Sequence, residues 1–474
     1  MENTPSSNKG PSPKRRQQNR IRMFKEAYLP AIIAGAALLC IIIFIIGSIT
    51  LQAQKKKADK QASIAASIAQ AEEDARMEQH AQELLSEAAA AAAGYDYDTA
   101  IAVLSNFKGD FEKYPQIQKT IDEYNSAQEK LIPWNDPGQV VNLSVQLLIA
   151  DPLRAFNHDV YKNSFNRNFI TTEEFSTALQ QLYDNGYVLV DLDDIVSCAE
   201  TESGDTLYTA KTLYLPAGKK PLMLTQTNVN YNIYLVDGDG DKLPDKYGCG
   251  FASRLLVGEN GEFTCEMVNA NGETVTGPYD LVPILEEFIK THPDFSYQGA
   301  RAILALTGYN GVFGYRTQES ARDTFGEDAY YTAISDAEAL ANALKEKGYK
   351  LACYTYENIA YGEKGAAEIQ SDLNDWNNEV VPVIGETDIL VYAQMSDIST
   401  EKVYSGDKYN LLQGNGFRYY LGFSNDGMPW FNASETCVRQ GRIMLTGYNL
   451  AKNSAWFTGL LDTAQVLDQT RPAF

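Results

Sequence analysis

The chain has 474 residues, with 62 acidic against 40 basic side chains and a formal net charge of −22. That balance excludes a nucleic-acid binder and a protein held to anionic lipid by charge, since both need basic patches. The length suffices for two or three domains with at least one large core. The 29 tyrosines supply rings with a polar edge, which suit sugar or peptide surfaces without diagnosing either.

Residues 1–28 read as a polar, basic tail on the cytoplasmic side. Residues 27–54 carry no charge, and 29–51, centred on Ala31–Ile49, is long enough to cross a bilayer as a helix. Seven Lys or Arg precede it and four follow (Lys55, Lys56, Lys57 and Lys60), so the positive-inside rule puts residues 52–474 outside the cell. A cleaved signal peptide is the alternative, but its apolar run is usually about 7–15 residues. The expectation is a single-pass protein of the cell membrane.

Residues 52–93 are rich in Ala, Gln, Glu and Lys and lack Gly and Pro, which favours one long helix ended by Gly94. Asp98–Phe107 and Pro115–Gln128 read as two more helices, making 52–134 a helical stalk with a hairpin. Self-association or partner docking by this stalk is one possible role. IPWNDPG (132–138) has two prolines and a glycine, and the domain boundary is placed there, before a domain spanning 139–474.

From 139 onward apolar strands alternate with amphipathic helices. VVNLSVQLLIA (140–150) is a strand. Thr171 and Glu174 form a capping box for a helix that buries Phe175, Leu179 and Leu182 and stops at Gly186. VLVDL (188–192) and LMLT (222–225) are strands. A β-meander with Asn-Gly turns at 260–261 and 271–272 is inserted at about 231–277. Then follow a helix at Leu281–Lys290, a strand at Ala302–Leu306 and a helix capped by Ser335 and Glu338 that ends at Gly348. Tyr349–Thr355 is a strand, Gln370–Asn377 a helix and Asp388–Tyr392 a strand. Such alternation predicts an α/β fold with a parallel sheet wrapped by helices, a barrel or an incomplete one. Five cysteines lie beyond the span without a C-x-x-C pair. A two-residue turn at 260–261 would set Cys265 opposite Leu256, out of register with Cys249, so free buried thiols are expected.

The order of a strand, an F-x-x-x-L-x-x-L-x-x-x-G-Y helix (Phe175 to Tyr187), a second strand and a K-K-P strand (Lys219 to Pro221) resembles the polysaccharide deacetylases, the NodB-homology or carbohydrate esterase family 4 group. The resemblance covers roughly 139–474 and implies a distorted (β/α) barrel of that type with the meander inserted. It also implies a zinc-type ion, held by one Asp and two His, whose water removes acetyl groups from N-acetylated sugars. Such an ion lowers the pKa of water to about 7 and polarises the amide carbonyl.

The ligands that the resemblance implies are replaced here. Its T-F-D-D motif falls on Thr225, Gln226, Thr227 and Asn228, so both carboxylates are gone. Its H-[ST]-x-x-H motif falls at Tyr354 to Asn358, and its R-x-P-x-G motif at VYAQM (391–395). Its final L-x-H has no counterpart, because no histidine follows His292. DLNDW (372–376) copies a fourth motif but precedes the third and reads as an amphipathic helix. Neutral Thr227, Asn228, Tyr354 and Asn358 offer neither carboxylate nor imidazole. No metal cofactor is therefore expected at this site and no deacetylation. Gln226, Tyr309, Asn310, Tyr315 and Tyr392 would join them in a polar, ring-lined cleft at the strand tips that suits sugar hydroxyls. The bland alternative is that these residues only bond to one another and close the barrel mouth.

VDGDGDKLPD (236–245) places Asp237, Asp239, Asp241 and Asp245 on one loop. Alternating carboxylates suit Ca²⁺, although Lys242 and Gly248 depart from an EF-hand, and a solvated acidic turn is the alternative. Two functional readings follow. One is a membrane-anchored, catalytically inactive deacetylase-like protein binding cell-wall glycan or an extracellular protein. The other is an active metal-dependent deacetylase with an altered site.

Overall fold

The computed structural model describes residues 13–201, 206–236 and 248–474. Among them one helix, Arg20–Ala93, is long and apolar enough to cross a membrane. The chain divides into two compact units, the first ending at Glu83 and the second Leu84–Phe474. The helices Tyr97–Ser105 and Pro115–Gln128, grouped with the stalk in the sequence reading, belong to the second unit. Gly94 O accepts from Gln298 N at 2.7 Å, and Ile132–Trp134 pairs antiparallel with Leu213–Leu215 across the segment expected to be a boundary.

Seven strands make the second unit's frame: β1 Val141–Val145, β2 Lys220–Thr227, β3 Ile303–Leu306, β4 Lys350–Cys353, β5 Ile389–Val391, β6 Tyr419–Phe423 and β7 Val438–Met444. Each pairs in parallel with the next in chain order, and β7 pairs in parallel with β1, so the barrel closes. The fold is the expected α/β barrel, and its distortion has a location. One edge of β2 is shared, with Tyr187–Leu189 on Lys220–Leu222 and β3 on Thr225–Thr227.

Because side chains alternate along a strand, the barrel separates two cores. Inside lie Met223, Ile303, Ala305, Ala352, Ile389, Val391 and Leu421, over a plug that includes Tyr95, Leu192, Ile195 and Tyr297. Outside, Leu143, Leu224, Leu304, Leu351, Leu390 and Ile443 meet the helices. The interior turns polar toward the C-terminal ends of the strands. Asn142, Thr225 and Gln440 bond to one another, with Thr225 Oγ1 to Asn142 Oδ1 at 2.9 Å and Asn142 Nδ2 to Gln440 Oε1 at 3.0 Å.

The capping box forms as predicted. Thr171 Oγ1 accepts from Glu174 N at 3.0 Å and Glu174 Oε2 from Thr171 N at 2.7 Å, ahead of the helix Thr172–Asp184. The helix expected to start at Ser335 starts instead at Glu327 and runs to Lys347. Glu327 and Asp328 in its first turn favour the earlier start by complementing the helix dipole. Gly348 ends it at φ +104°, where a Cβ would also meet Gly299 O at 2.8 Å.

The meander is a three-stranded sheet of Arg254–Val257, Phe263–Val268 and Thr274–Gly277. Its register differs by one from the two-residue turns expected. Val257 pairs with Phe263 and Val268 with Thr274, and Cys265 faces Leu255 rather than Leu256. Each Asn-Gly lies inside a wider loop whose glycine, Gly261 at +80° or Gly272 at +77°, takes the left-handed conformation. Cys249, Cys265, Cys353 and Cys437 are buried thiols, whereas Cys198 is exposed on a hairpin, Val196–Glu200 with Thr206–Ala210, that the sequence reading misses. Asp237, Asp239, Asp241 and Asp245 lie outside the described residues.

Candidate functional site

At the C-terminal end of the barrel a cleft of about 520 Å³ brings together Asn228 after β2, and Tyr354 and Asn358 after β4. A larger cleft, about 820 Å³, lies at the opposite end, beside Lys350, Ile389 and Phe417. Barrel chemistry is placed where strands end, and the first cleft is the one that contains the positions singled out in the sequence.

Three segments shape its floor. Thr227 faces inward but is fully buried, its hydroxyl donating to Val145 O at 3.2 Å, so it supports the floor without lining it. Asn228 sits at φ +64°, and its Oδ1 accepts from Thr307 Oγ1 at 3.2 Å. The loop from Tyr354 to Asn358 is clamped from below. Asp372, on the helix Ala366–Asp375, accepts from Tyr356 N and Glu357 N, both at 2.8 Å, and from Tyr361 Oη at 2.7 Å. Burial raises the Asp372 pKa above the usual carboxylate range, opposed by those bonds. DLNDW is thus helical, as expected, and holds a loop of the cleft. Gly308 lets Tyr356 approach, since a Cβ there would stand 2.3 Å from the ring.

Nine described non-glycine residues have left-handed φ, and five of them (Asn228, Thr355, Asn358, Gln394 and Met395) are at this cleft or in the loop that forms its edge. For β-branched Thr355 at +63° the conformation costs about 1–2 kcal/mol. Asn358 Oδ1 is buried there without a hydrogen-bond partner. Beneath the floor Arg442, projecting inward from β7, donates to Ser144 Oγ, Tyr392 O and Gly422 O at 2.9–3.0 Å. Burial pulls its pKa down to about 10, and the nearby Tyr354 phenol acts against that fall.

The other predicted liners are elsewhere, for reasons of parity and loop path. Gln226 and Tyr392 fall on the outward phase of their strands. Gln226 Nε2 donates to buried Asp280 Oδ1 at 2.7 Å, and the Tyr392 ring stacks on Tyr420 at 6.2 Å. Tyr309, Asn310 and Tyr315 gather around Arg316 beside the meander. Arg316 donates to Asn310 O at 2.7 Å and Tyr231 O at 2.9 Å, and Asn310 Oδ1 accepts from Ile233 N at 3.0 Å. Tyr315 lies beneath the Arg254 guanidinium at 5.6 Å, and burial raises the Tyr309 hydroxyl to about 12.

The sequence reading missed a wall made by Arg167, Tyr448, Asn449 and Trp456. A signal for it exists. The pentapeptide LTGYN occurs twice, at 306–310 after β3 and at 445–449 after β7, and only the second copy lines the cleft. Among the described residues the cleft wall holds seven side-chain amides (Gln146, Asn168, Asn228, Asn358, Gln394, Asn425 and Asn449) and the rings of Tyr354, Tyr448 and Trp456, but no carboxylate, imidazole or thiol. Among the described residues no three His, Cys, Asp or Glu side chains are grouped to hold a metal ion. The donor set of this cleft does not fit a zinc-type ion.

No family model matches the chain, and no curated protein does. Among solved structures it is similar to a Streptococcus pyogenes deacetylase, PplD, in complex with acetate, at 10% identity and a TM-score of 0.33 over 67% of this chain and 94% of that one. A likeness at that score carries no statement about chemistry, and the barrel rests on its own strand order.

Proposed function

We propose that this chain is a membrane-anchored, extracellular protein of the polysaccharide deacetylase type whose barrel binds cell-wall glycan without deacetylating it. The observation that carries the reading is the make-up of the cleft: seven amides and three aromatic rings, with no group able to grip a divalent cation or act as a carboxylate base. Amides both donate and accept, which matches sugar hydroxyls and acetamido groups, and rings stack on the apolar faces of pyranoses. The left-handed residues around the cleft support a binding role as well, because such strain persists where surrounding structure holds it for function. The run of apolar residues with basic residues mainly before it supports the orientation, cytoplasmic tail and outer barrel.

Retention of the detergent-solubilised full chain on insoluble wall glycan tests this reading. The expected result is retention that Asn358→Ala and Trp456→Ala weaken. Failure of the unaltered chain to bind any wall polymer would overturn it.

A further inference from the structure

Resting on the glycan-binding reading, we propose that the cleft selects glycans carrying a carboxylate over uncharged ones. Among the described residues the side chains of Arg301, Arg439, Arg442 and Arg471 are buried, and Arg471 pairs with Glu174 at 2.5 Å. Arg301 pairs with Glu286 at 2.6 Å and Arg439 with Asp397 at 2.9 Å. Arg442, 1% exposed, has no carboxylate within ion-pair distance among the described residues; the less deeply buried Arg316, beside the meander and away from the cleft, likewise donates only to carbonyls. The three acceptors of Arg442, a hydroxyl and two carbonyls, are neutral, so they solvate the guanidinium without cancelling its charge. An uncompensated buried charge is costly. The position of Arg442 sets that charge below the cleft rather than against the helices. It shares the inward phase of β7 and reaches Ser144 of β1 and the end of β5, under Tyr354.

Two independent features of the wall agree. Arg167 is exposed at the cleft with its guanidinium 4.0 Å from the centre of the Tyr448 ring, which fixes a second cation where a bound sugar would lie. Among the described residues the lining itself carries no carboxylate; at its rim Asp426 accepts from Ser424 Oγ at 3.0 Å. Arg167 would form the direct contact, and Arg442 adds its field through a floor of low dielectric.

Isothermal titration of the full chain in neutral detergent compares two probes: a hyaluronan tetrasaccharide, alternating N-acetylglucosamine with glucuronate, and uncharged chitotetraose. The acidic probe is expected to bind about tenfold more tightly, a step within the reach of one partly desolvated charge pair. Arg167→Gln should bring its affinity to within about threefold of the neutral probe measured on the same variant. Arg442→Lys should keep the preference and Arg442→Gln lose it; if the latter does not fold, Arg167→Gln still decides. Equal or tighter binding of chitotetraose would overturn the acid preference and leave glycan binding standing. Binding of neither probe would remove both.

Discussion

The carboxylate of Asp372 accepts a hydrogen bond from the main-chain N–H of Tyr356 at 2.8 Å, and so ties a helix on the barrel's flank to a loop of the cleft. The same group holds Glu357 N and Tyr361 Oη. Asp372→Ala would leave the buried N–H of Tyr356, the partly buried N–H of Glu357 and a phenol without their acceptor, at a cost of about 2–4 kcal/mol. Glycan affinity, measured well below the lowered melting temperature, should fall at least tenfold, because Tyr354 and Asn358 lose their positions.

Asn228, Tyr354 and Asn358 occupy the places at which the deacetylase resemblance puts a carboxylate and two imidazoles. The triple variant Asn228→Asp, Tyr354→His, Asn358→His should therefore gain a metal site. His and Asp tolerate the left-handed φ of Asn358 and Asn228 better than most residues. Titration with Co²⁺ should show a visible absorption band saturating near one equivalent in the variant and none in the unaltered chain. A variant that binds no cobalt would mean that the three positions do not converge as a ligand set.

Arg471 and Glu174 form a buried bidentate pair, with Nε to Oε1 at 2.6 Å and Nη2 to Oε2 at 2.5 Å. The pair fastens the C-terminal tail to the capping box of Thr172–Asp184, since Glu174 Oε2 also accepts from Thr171 N. Arg471→Met strands a buried carboxylate and should destabilise the unit by about 3–5 kcal/mol in denaturant unfolding. The double change Arg471→Met, Glu174→Gln should recover part of that loss.

Asp280 is fully buried, and burial raises its pKa to about 6, against hydrogen bonds from Tyr231, Leu148 N, Leu281 N and Gln226. A carboxylate whose pKa is higher folded than unfolded binds more protons in the folded state. Its contribution is therefore fully present below about pH 4 and is lost as pH rises through about 6. Asp280→Asn removes the titration. The unaltered chain should gain on the variant by about 1 kcal/mol between pH 7 and pH 5. A stability difference that is flat over that window would show that Asp280 stays charged.

Local periodicity made the barrel legible as far as β5. Capping boxes, glycine stops and apolar runs mark those elements with nearest-neighbour chemistry. The strand β7 escaped because its interior is not uniformly apolar: Arg439, Gln440 and Arg442 interrupt it, and only tertiary contacts, the barrel closure for Gln440 and Arg442 and the loop after β5 for Arg439, give those polar groups partners. At the site, the three strand-tip positions were readable from motif spacing. Gln226 and Tyr392 were misplaced because spacing fixes which residue ends a strand, whereas facing depends on phase relative to the barrel axis. Arg167, Tyr448 and Trp456 come from helices and from the C-terminal segment, and only tertiary packing brings them to the mouth.

The decisive measurement is acetate release. The full chain, supplied with Zn²⁺ or Co²⁺ and incubated with N-acetylated chitooligosaccharides, should retain the sugar and release no acetate above a protein-free control. Acetate production that chelators abolish and metal restores would contradict a cleft emptied of its cation-binding groups.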